Sequence, residues 1–222
     1  MEKRKILFGT YDTAIDGLWT LTGWSLSSAQ HRENYVTIPG RDGDLDLSAA
    51  LTGGEPRYGS RALVATFESS EGTRLDREST IDIMTNWLDG WRMNIVLPDD
   101  PDHYVTGRVH VQRDYNDPAH AAVTVTATCD PWKYLNRETI TQLTAGAVTE
   151  TAILPNYGRK TVVPVLTISG DSANVLLSTD GASWALGTGV YQLPDLVVPQ
   201  GGKVIRYSGV GELSFVYREA SL

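Results

Sequence analysis

Hydrophobic and polar residues alternate with a period of two along most of the chain. Residues 104–112 show the pattern clearly, because Val105, Val109 and Val111 fall on one face of an extended strand and polar side chains on the other. Similar alternation or a short apolar run marks residues 63–67, 123–129, 162–168 and 213–217. Such segments are rich in the β-branched and aromatic residues that strands favour. The pattern predicts a mainly β protein.

One segment shows helical spacing instead. Ile81, Met84 and Leu88 recur at intervals of four and three, which places them on one face of a helix. Asp76 is suited to cap the start of this helix, and Gly90 is suited to close its end. We therefore predict one amphipathic helix that packs against a sheet.

Turn residues separate the strands in two places. Residues 99–102, Asp-Asp-Pro-Asp, predict a hairpin turn, because aspartate side chains bond to nearby backbone and proline fixes φ. Residues 39–56 contain four glycines and clustered charges without sustained apolar alternation, which predicts a long loop or an extended hairpin. Connections of this length usually have a function. We expect this one to take part in an interaction.

A change of composition divides the chain. After residues 130–131 the sequence becomes rich in Thr, Ala and Gly, and strand-like residues resume near Val162. We predict two domains, residues 1–138 and 139–222. In the second, glycines punctuate short apolar runs and no helical pattern appears, which predicts a small β-sandwich or jelly roll.

Length and charge narrow the classes of function. The chain has 222 residues, 41% hydrophobic and 21% charged, which is typical of a folded protein with room for two β domains. The formal net charge of −8 argues against a protein that grips DNA, because duplex binding depends on basic side chains that neutralise phosphates. An acidic surface would suit a pore through which DNA slides without sticking.

The chain carries no predicted membrane anchor or signal peptide. No apolar run approaches the roughly 20 residues that a membrane helix needs, so membrane insertion is not expected. Cys129 is the single cysteine, which excludes an internal disulfide and a multi-cysteine zinc site. It alternates onto the apolar face of its strand, so we expect it in the core. These features fit synthesis in a reducing cytoplasm.

Three aspartates raise the question of a calcium site. Asp42, Asp44 and Asp46 have the alternate spacing with which some calcium-binding loops begin. Such loops continue with glycine at the sixth position and glutamate at the twelfth, where this chain has Leu47 and Gly53. We therefore predict a solvated or subunit-contacting loop and no metal ion.

Other catalytic and binding motifs are missing. The four histidines are isolated in sequence, and His103 and His110 fall on opposite faces of one predicted strand, so no metal site is predicted. No serine elbow or nucleotide-binding glycine loop occurs, so we predict neither an enzyme nor a cofactor. A cell-wall hydrolase is the alternative enzyme class, because two carboxylates can meet in space without a motif. Trp184 is the candidate for stacking on a sugar.

Five segments of the chain, taken in order, resemble the distal tail protein family of siphophages. They are residues 38–46 (IPGRDGDLD), 56–61 (PRYGSR), 101–108 (PDHYVTGR), 127–134 (ATCDPWKY) and 156–170, which opens with NYGRKT. The resemblance implies an N-terminal β-sandwich, related to the tail-tube building block and flanked by one helix, over residues 1–138. It implies a C-terminal galectin-like β-sandwich over residues 139–222.

The resemblance also implies a function. Members of the family form a hexameric ring at the tip of the tail tube, through which DNA passes transiently. The expected partners are further copies of the chain, the tail-tube protein, a tail-associated or baseplate hub protein, and fibre or receptor-binding proteins. The expected location is the virion tail tip. The family implies no catalytic residue.

A closed ring needs two different patches that meet between neighbours. The candidates for this contact are the charged residues in and after the long loop: Arg41, Asp42, Asp44, Asp46, Arg57 and Arg61. The arginines are suited to bridge carboxylates with two parallel hydrogen bonds. The alternative function is a carbohydrate-binding adhesion module of the host-attachment device, although residues 144–222 lack the His, Asn, Arg and Trp constellation of galectins.

Overall fold

The protein is mainly β, as predicted. A computed structural model describes residues 4–14, 19–50, 54–69, 72–114 and 121–222, and this part of the chain contains one α-helix. It divides into two compact units, one that extends to Lys133 and includes Leu222, and one that spans Tyr134–Ser221. No helix among the described residues has the length and apolar character to cross a membrane.

The first unit is built on an antiparallel sheet. Its strands are β1 (Leu7–Phe8), β2 (Tyr11–Asp12), β3 (Thr20–Leu26), β4 (Tyr35–Val36), β5 (Leu45–Asp46), β6 (Arg61–Ser69), β7 (Arg92–Leu97), β8 (Asp100–Asp114) and β9 (Ala121–Leu135). Strands of the main sheet run in the order β2-β1-β7-β8-β9-β6-β3, whereas β4 and β5 pair only with each other. The last two residues of β9 belong to the second unit.

Side chains of alternate residues fill the core of this unit. Strand β6 alternates between buried and more exposed positions along its length, as a strand with one covered face does. Its inner residues meet those of β8 and β9 in a single core. The buried members on these strands are Leu63, Ala65, Phe67, Val105, Val109, Val123, Val125, Ala127 and Cys129. The predicted alternation and the predicted core position of Cys129 are confirmed.

Helix α1 (Arg74–Leu88) lies against β8 and buries Ile81, Met84 and Leu88, as predicted. Its N-cap lies three residues earlier than predicted: Thr73 takes this position, and Asp76 is the third helical residue. The Thr73 Oγ1 accepts from Asp76 N at 3.2 Å, and an Asp76 carboxylate oxygen accepts from Thr73 N at 2.9 Å. This reciprocal pair is a capping box.

The hairpin between β7 and β8 is tighter than predicted. Leu97 pairs with Asp100, so the turn consists of residues 98–99, and residues 100–102 already belong to β8. Val96 pairs with Tyr104, which leaves residues 101–103 as a bulge. The Asp100 carboxylate holds this bulge through His103 Nδ1 at 2.6 Å and Lys133 Nζ at 2.9 Å. The predicted turn begins one residue and ends three residues later than the observed turn, because the bulge also contains proline and aspartate.

The second unit encloses its own core. Its strands are β10 (Thr139–Ala145), β11 (Glu150–Leu154), β12 (Val165–Ser178), β13 (Ser183–Gly187), β14 (Gly189–Gln192), β15 (Lys203–Tyr217) and β16 (Ala220–Ser221). The two long strands β12 and β15 pair with each other. The first half of β12 also pairs with β14 and its second half with β13, while the first half of β15 pairs with β11 and its second half with β10. Buried side chains from both halves enter one core. Strands that bend between two layers are typical of β-sandwiches.

The bend in the long strands depends on glycine. The register of β12 against β15 shifts between Ser169 and Asn174. Opposite this shift, Gly209 and Gly211 have φ values of +121° and +140°, which side chains rarely allow. A Cβ atom on Gly209 would lie 2.0 Å from the Asn174 carbonyl oxygen. The close approach of the two backbones therefore requires glycine at this position.

Candidate assembly surface

A long excursion from the first sheet forms the predicted interaction surface. Strands β3 and β6 are direct neighbours, with Leu26 opposite Leu63, yet 34 residues lie between Leu26 and Arg61. We call residues 27–60 the arm; the structure describes all of them except residues 51–53. The chain leaves the sheet, turns, and returns to the same place, which is the form of an extended hairpin.

Hydrogen bonds tie the base of the arm to the sheet. Ser27 N donates to the Ala62 carbonyl at 2.9 Å, and Gly59 N donates to the Gln30 carbonyl at 2.7 Å. Arg61, the sixth candidate for the contact between copies, lies here and is buried within the chain. Its Nε donates to the Ser27 carbonyl at 2.6 Å. The Arg61 side chain is thus nearly covered within its own chain, where it anchors the arm, and its contact with a neighbouring copy stays a prediction.

Three aromatic rings, those of His31, Tyr58 and Trp132, pack edge to face at the base of the arm. The rings of His31 and Tyr58 meet edge to face with centroids 5.6 Å apart, and the rings of Tyr58 and Trp132 do the same at 5.6 Å. His31 and Tyr58 also form an isolated antiparallel bridge. Such edge-to-face pairs are favourable contacts. They pack the base of the arm against Trp132 of β9.

The outer part of the arm is the two-stranded hairpin of β4 and β5. Leu47 N donates to the Asn34 carbonyl at 2.8 Å, and Thr37 Oγ1 donates to an Asp44 carboxylate oxygen at 2.8 Å. The tip between the strands contains Gly40 and Gly43, both with positive φ. The extended hairpin was one of the two predicted forms of residues 39–56.

The structure distributes the predicted charged residues along this hairpin. Asp44 accepts the bond from Thr37, and hydrogen bonds from the hydroxyl and backbone N–H of Ser48 lower the pKa of Asp46. Arg41, Asp42 and Arg57 are exposed. Among the described residues, no three His, Cys, Asp or Glu side chains are grouped as a metal site requires. His120 and Gly53 lie outside the described residues.

Sequence reasoning missed an apolar part of the arm. Tyr35, Val36 and Ile38 are between 38% and 55% exposed, although all three are large hydrophobic residues. The run Tyr35-Val36-Thr37-Ile38 is rich in strand-forming residues, and that signal would have identified β4. Contiguous exposed apolar residues are typical of contact surfaces.

Sugar contact by Trp184 in the second unit stays a prediction. Trp184 is half-buried and packs against the core, opposite Leu177 on the neighbouring strand. An open pocket of about 280 Å³ lies on the outer face of β10, β12 and β15. Its lining residues are Gln142, Leu143, Thr144, Ser169, Glu212, Leu213 and Ser214. None of them is aromatic, so the pocket has no surface on which a sugar ring would stack.

Comparison with known proteins bears on the fold. No protein-family model and no curated protein matches the sequence. Among solved structures, the crystal structure of the SPP1 Dit (gp 19.1) protein is similar, with a TM-score of 0.71 and 16% sequence identity. The similarity covers 98% of this chain and 99% of that chain. The chain has the Dit fold. SPP1 Dit is described as a paradigm of the hub adsorption apparatus in phages that infect Gram-positive bacteria.

The resemblance to distal tail proteins is thus confirmed at the level of fold. At 16% identity a sequence comparison has little power, whereas the five resembling segments follow the fold from the arm to the opening of the second unit. Asn156, in the last of these segments, is buried and donates to the carbonyls of Lys160 and Val198, each at 3.0 Å. The motif therefore has a structural role in this chain. The galectin-like assignment of residues 139–222 stays a prediction.

Proposed function

We propose that this protein is a structural component of a phage tail tip, where copies form a closed hexameric ring at the end of the tail tube. The observation that carries this proposal is the likeness to a phage hub protein over almost the whole of both chains. The role is that of a hub and adaptor, not of an enzyme. Its proposed partners are the tail-tube protein, a tail-associated or baseplate hub protein, and fibre or receptor-binding proteins.

The arm supports the ring. A cyclic assembly needs one patch that meets a different patch on the next copy. The arm projects from the first unit and exposes Tyr35, Val36 and Ile38 together with the charged residues Arg41 and Arg57. An apolar strip bordered by charges is the composition of a protein interface, with its core and its rim. We therefore assign ring formation to the first unit.

The distribution of charge supports a role in DNA passage. Residues 1–133 carry 13 Lys and Arg against 20 Asp and Glu, and residues 134–222 carry 6 against 7, so −7 of the net charge of −8 belongs to the first unit. An acidic ring repels the phosphate backbone. DNA that meets no cationic surface would pass without binding. The nearly neutral second unit is assigned to the docking of external components.

The test is the mass of the purified protein by size-exclusion chromatography with light scattering, followed by negative-stain imaging. We expect a species of six times the chain mass that appears as a ring with a central channel. A matched variant replaces residues 37–44, the tip of the arm between β4 and β5, with a two-residue Asn-Gly turn. This variant should keep its fold by circular dichroism and lose the ring. If the shortened variant still forms a ring, the arm does not contribute to assembly. If the unaltered protein stays monomeric at high concentration, self-assembly is contradicted.

A further inference from the structure

Helix α1 has a second apolar face that points to solvent. Its inner face packs on the core, but Leu75, Ile83 and Trp87 follow one another at intervals of eight and four on the other side. Trp91 lies just beyond Gly90, after the helix ends. These four side chains, which we call the helix stripe, are between 46% and 78% exposed.

The solvent side of a surface helix is normally polar, so this stripe requires an explanation. Exposed apolar patches mark contacts with partners, and tryptophan is the residue type most enriched among those that dominate binding energy. Two tryptophans four positions apart are therefore unusual on a surface that stays wet. Trp87 and Trp91 stay 59% and 64% exposed.

The arm presents the complementary surface. Tyr35, Val36 and Ile38 are exposed in the same chain as the helix stripe, so neither surface covers the other within one copy. From the His31–Tyr58 bridge to Gly40 the arm is nine residues long, and an extended strand rises about 3.3 Å per residue, so its tip reaches on the order of 30 Å from its base. This reach is enough to cross onto a neighbouring subunit.

We propose that the arm of one copy packs on the helix stripe of the next copy. The inference rests on the proposed ring and names its contact. If the arms of two copies packed on each other, or their stripes did, the contact would be two-fold symmetric and assembly would stop at a dimer. Packing of arm on stripe joins two different patches, which is what a cyclic ring with more than two members requires.

Charges favour the same arrangement. In the described part of the chain, the side chains of Arg32, Arg41 and Arg57 form no ion pair. The helix stripe is bordered by Asp82 and Asp89, whose side chains stay about half exposed although each has a partner in its own chain. Unpaired arginines on the arm thus have carboxylates to meet around the stripe.

Three acidic groups of the arm have partners within the arm itself. Asp44 is bound by Thr37, Asp46 by Ser48, and Glu33 lies 3.7 Å from His31 Nδ1. Local hydrogen bonds thus hold part of the negative charge of the arm against its own backbone and side chains. The guanidinium groups are left to face a partner.

Disulfide trapping tests the contact directly. Val36→Cys places a thiol on the arm, and Ile83→Cys places one on the stripe. We expect the equimolar mixture to form a covalent dimer under mild oxidation, and each variant alone to stay monomeric on a nonreducing gel. The double variant should form a ladder of up to six copies. Cys129 should not interfere, because it is buried and burial raises the pKa of its thiol to about 11.

Val64→Cys is the matched control, because Val64 is exposed on the face of β6 opposite the core. It should form no dimer with either partner. Dimers from either variant alone, or no dimer from the mixture, would overturn the proposal. Light scattering of the unaltered protein separates failure of the arm-to-stripe contact from failure of the proposed ring. A ring without the mixed disulfide would refute the arm-to-stripe contact alone, whereas a monomer would refute the ring as well.

Discussion

Gly107 on β8 lies so close to Cys129 on β9 that a Cβ atom at position 107 would be 2.6 Å from the Cys129 Sγ. The same atom would lie 3.1 Å from the Thr128 carbonyl oxygen. Glycine is present because the thiol of the neighbouring strand occupies the space of its side chain. The pattern of the sequence places both residues on one face of the sheet, but it does not show that they touch.

Gly107→Ala is expected to reduce the free energy of unfolding by about 1 to 3 kcal/mol, the cost of overpacking a filled core. Cys129→Ala alone should cost about 1 to 2 kcal/mol through the small cavity that it leaves. The double variant should be more stable than the sum of the two changes predicts, because the smaller residue makes room for the added methyl group. Denaturant unfolding of the four proteins measures this coupling. Strict additivity would show that the two side chains do not compete for space.

The alternating strands and the helix could be predicted because each depends on local periodicity. A strand with one buried face alternates with a period of two, and the inner face of α1 repeats at three and four. The start of α1 was predicted three residues too late, because Thr73 and Asp76 can both act as caps and only the reciprocal bonds of the capping box decide between them.

The arm was harder to predict because it has no buried face. Strands β4 and β5 are mostly exposed on both sides, so alternation does not mark them. Arg61 was predicted to meet a neighbouring copy because a guanidinium group can bridge carboxylates, whereas the structure places it at the buried start of β6, where its Nε donates to the Ser27 carbonyl. Partial burial of Trp184 depends on tertiary packing, which its glycine-rich neighbourhood does not reveal.

The Cys129 thiol is expected to make stability depend on alkaline pH. Burial raises its pKa from the ordinary 9.0 to about 11, so the unfolded chain releases the thiol proton at a lower pH than the folded chain. Raising the pH through this window therefore favours unfolding, by at most about 1.4 kcal/mol per pH unit. The comparison is between the natural protein and Cys129→Ala by urea unfolding at several pH values. Their difference in stability should change between pH 9 and 11 and stay constant below; a constant difference throughout would contradict the assignment.

Glu219 is expected to stabilise the second unit through hydrogen bonds. Its carboxylate accepts from Thr139 Oγ1 at 2.8 Å, from Tyr157 N at 2.7 Å and from Gly158 N at 3.1 Å. Glu219→Ala should cost about 2 to 4 kcal/mol, because hydrogen bonds to a charged group contribute about 1.5 to 3 kcal/mol and two backbone donors lose their partner. Glu212→Ala is the control, since Glu212 is exposed and lines an open pocket. Equal effects of the two changes on thermal or denaturant unfolding would argue against this role.

Trp87 and Trp91 are expected to matter for assembly and not for folding. Both are exposed in the single chain, so Trp87→Ser and Trp91→Ser should leave the free energy of unfolding of the monomer within about 0.5 kcal/mol. If the arm covers them in the ring, each change removes an aromatic anchor worth about 2 kcal/mol or more, which raises the dissociation constant roughly 30-fold.

Sedimentation equilibrium over a range of concentrations measures this shift. Leu176→Ser is the matched control, because Leu176 is similarly exposed but belongs to the second unit, to which the ring contact is not assigned. Shortening the arm tip and removing Trp87 together should weaken assembly less than the sum of the separate effects, because both changes delete the same contact. Full additivity would mean that the arm and the stripe meet different partners, and the ring would then need another pair of surfaces to close.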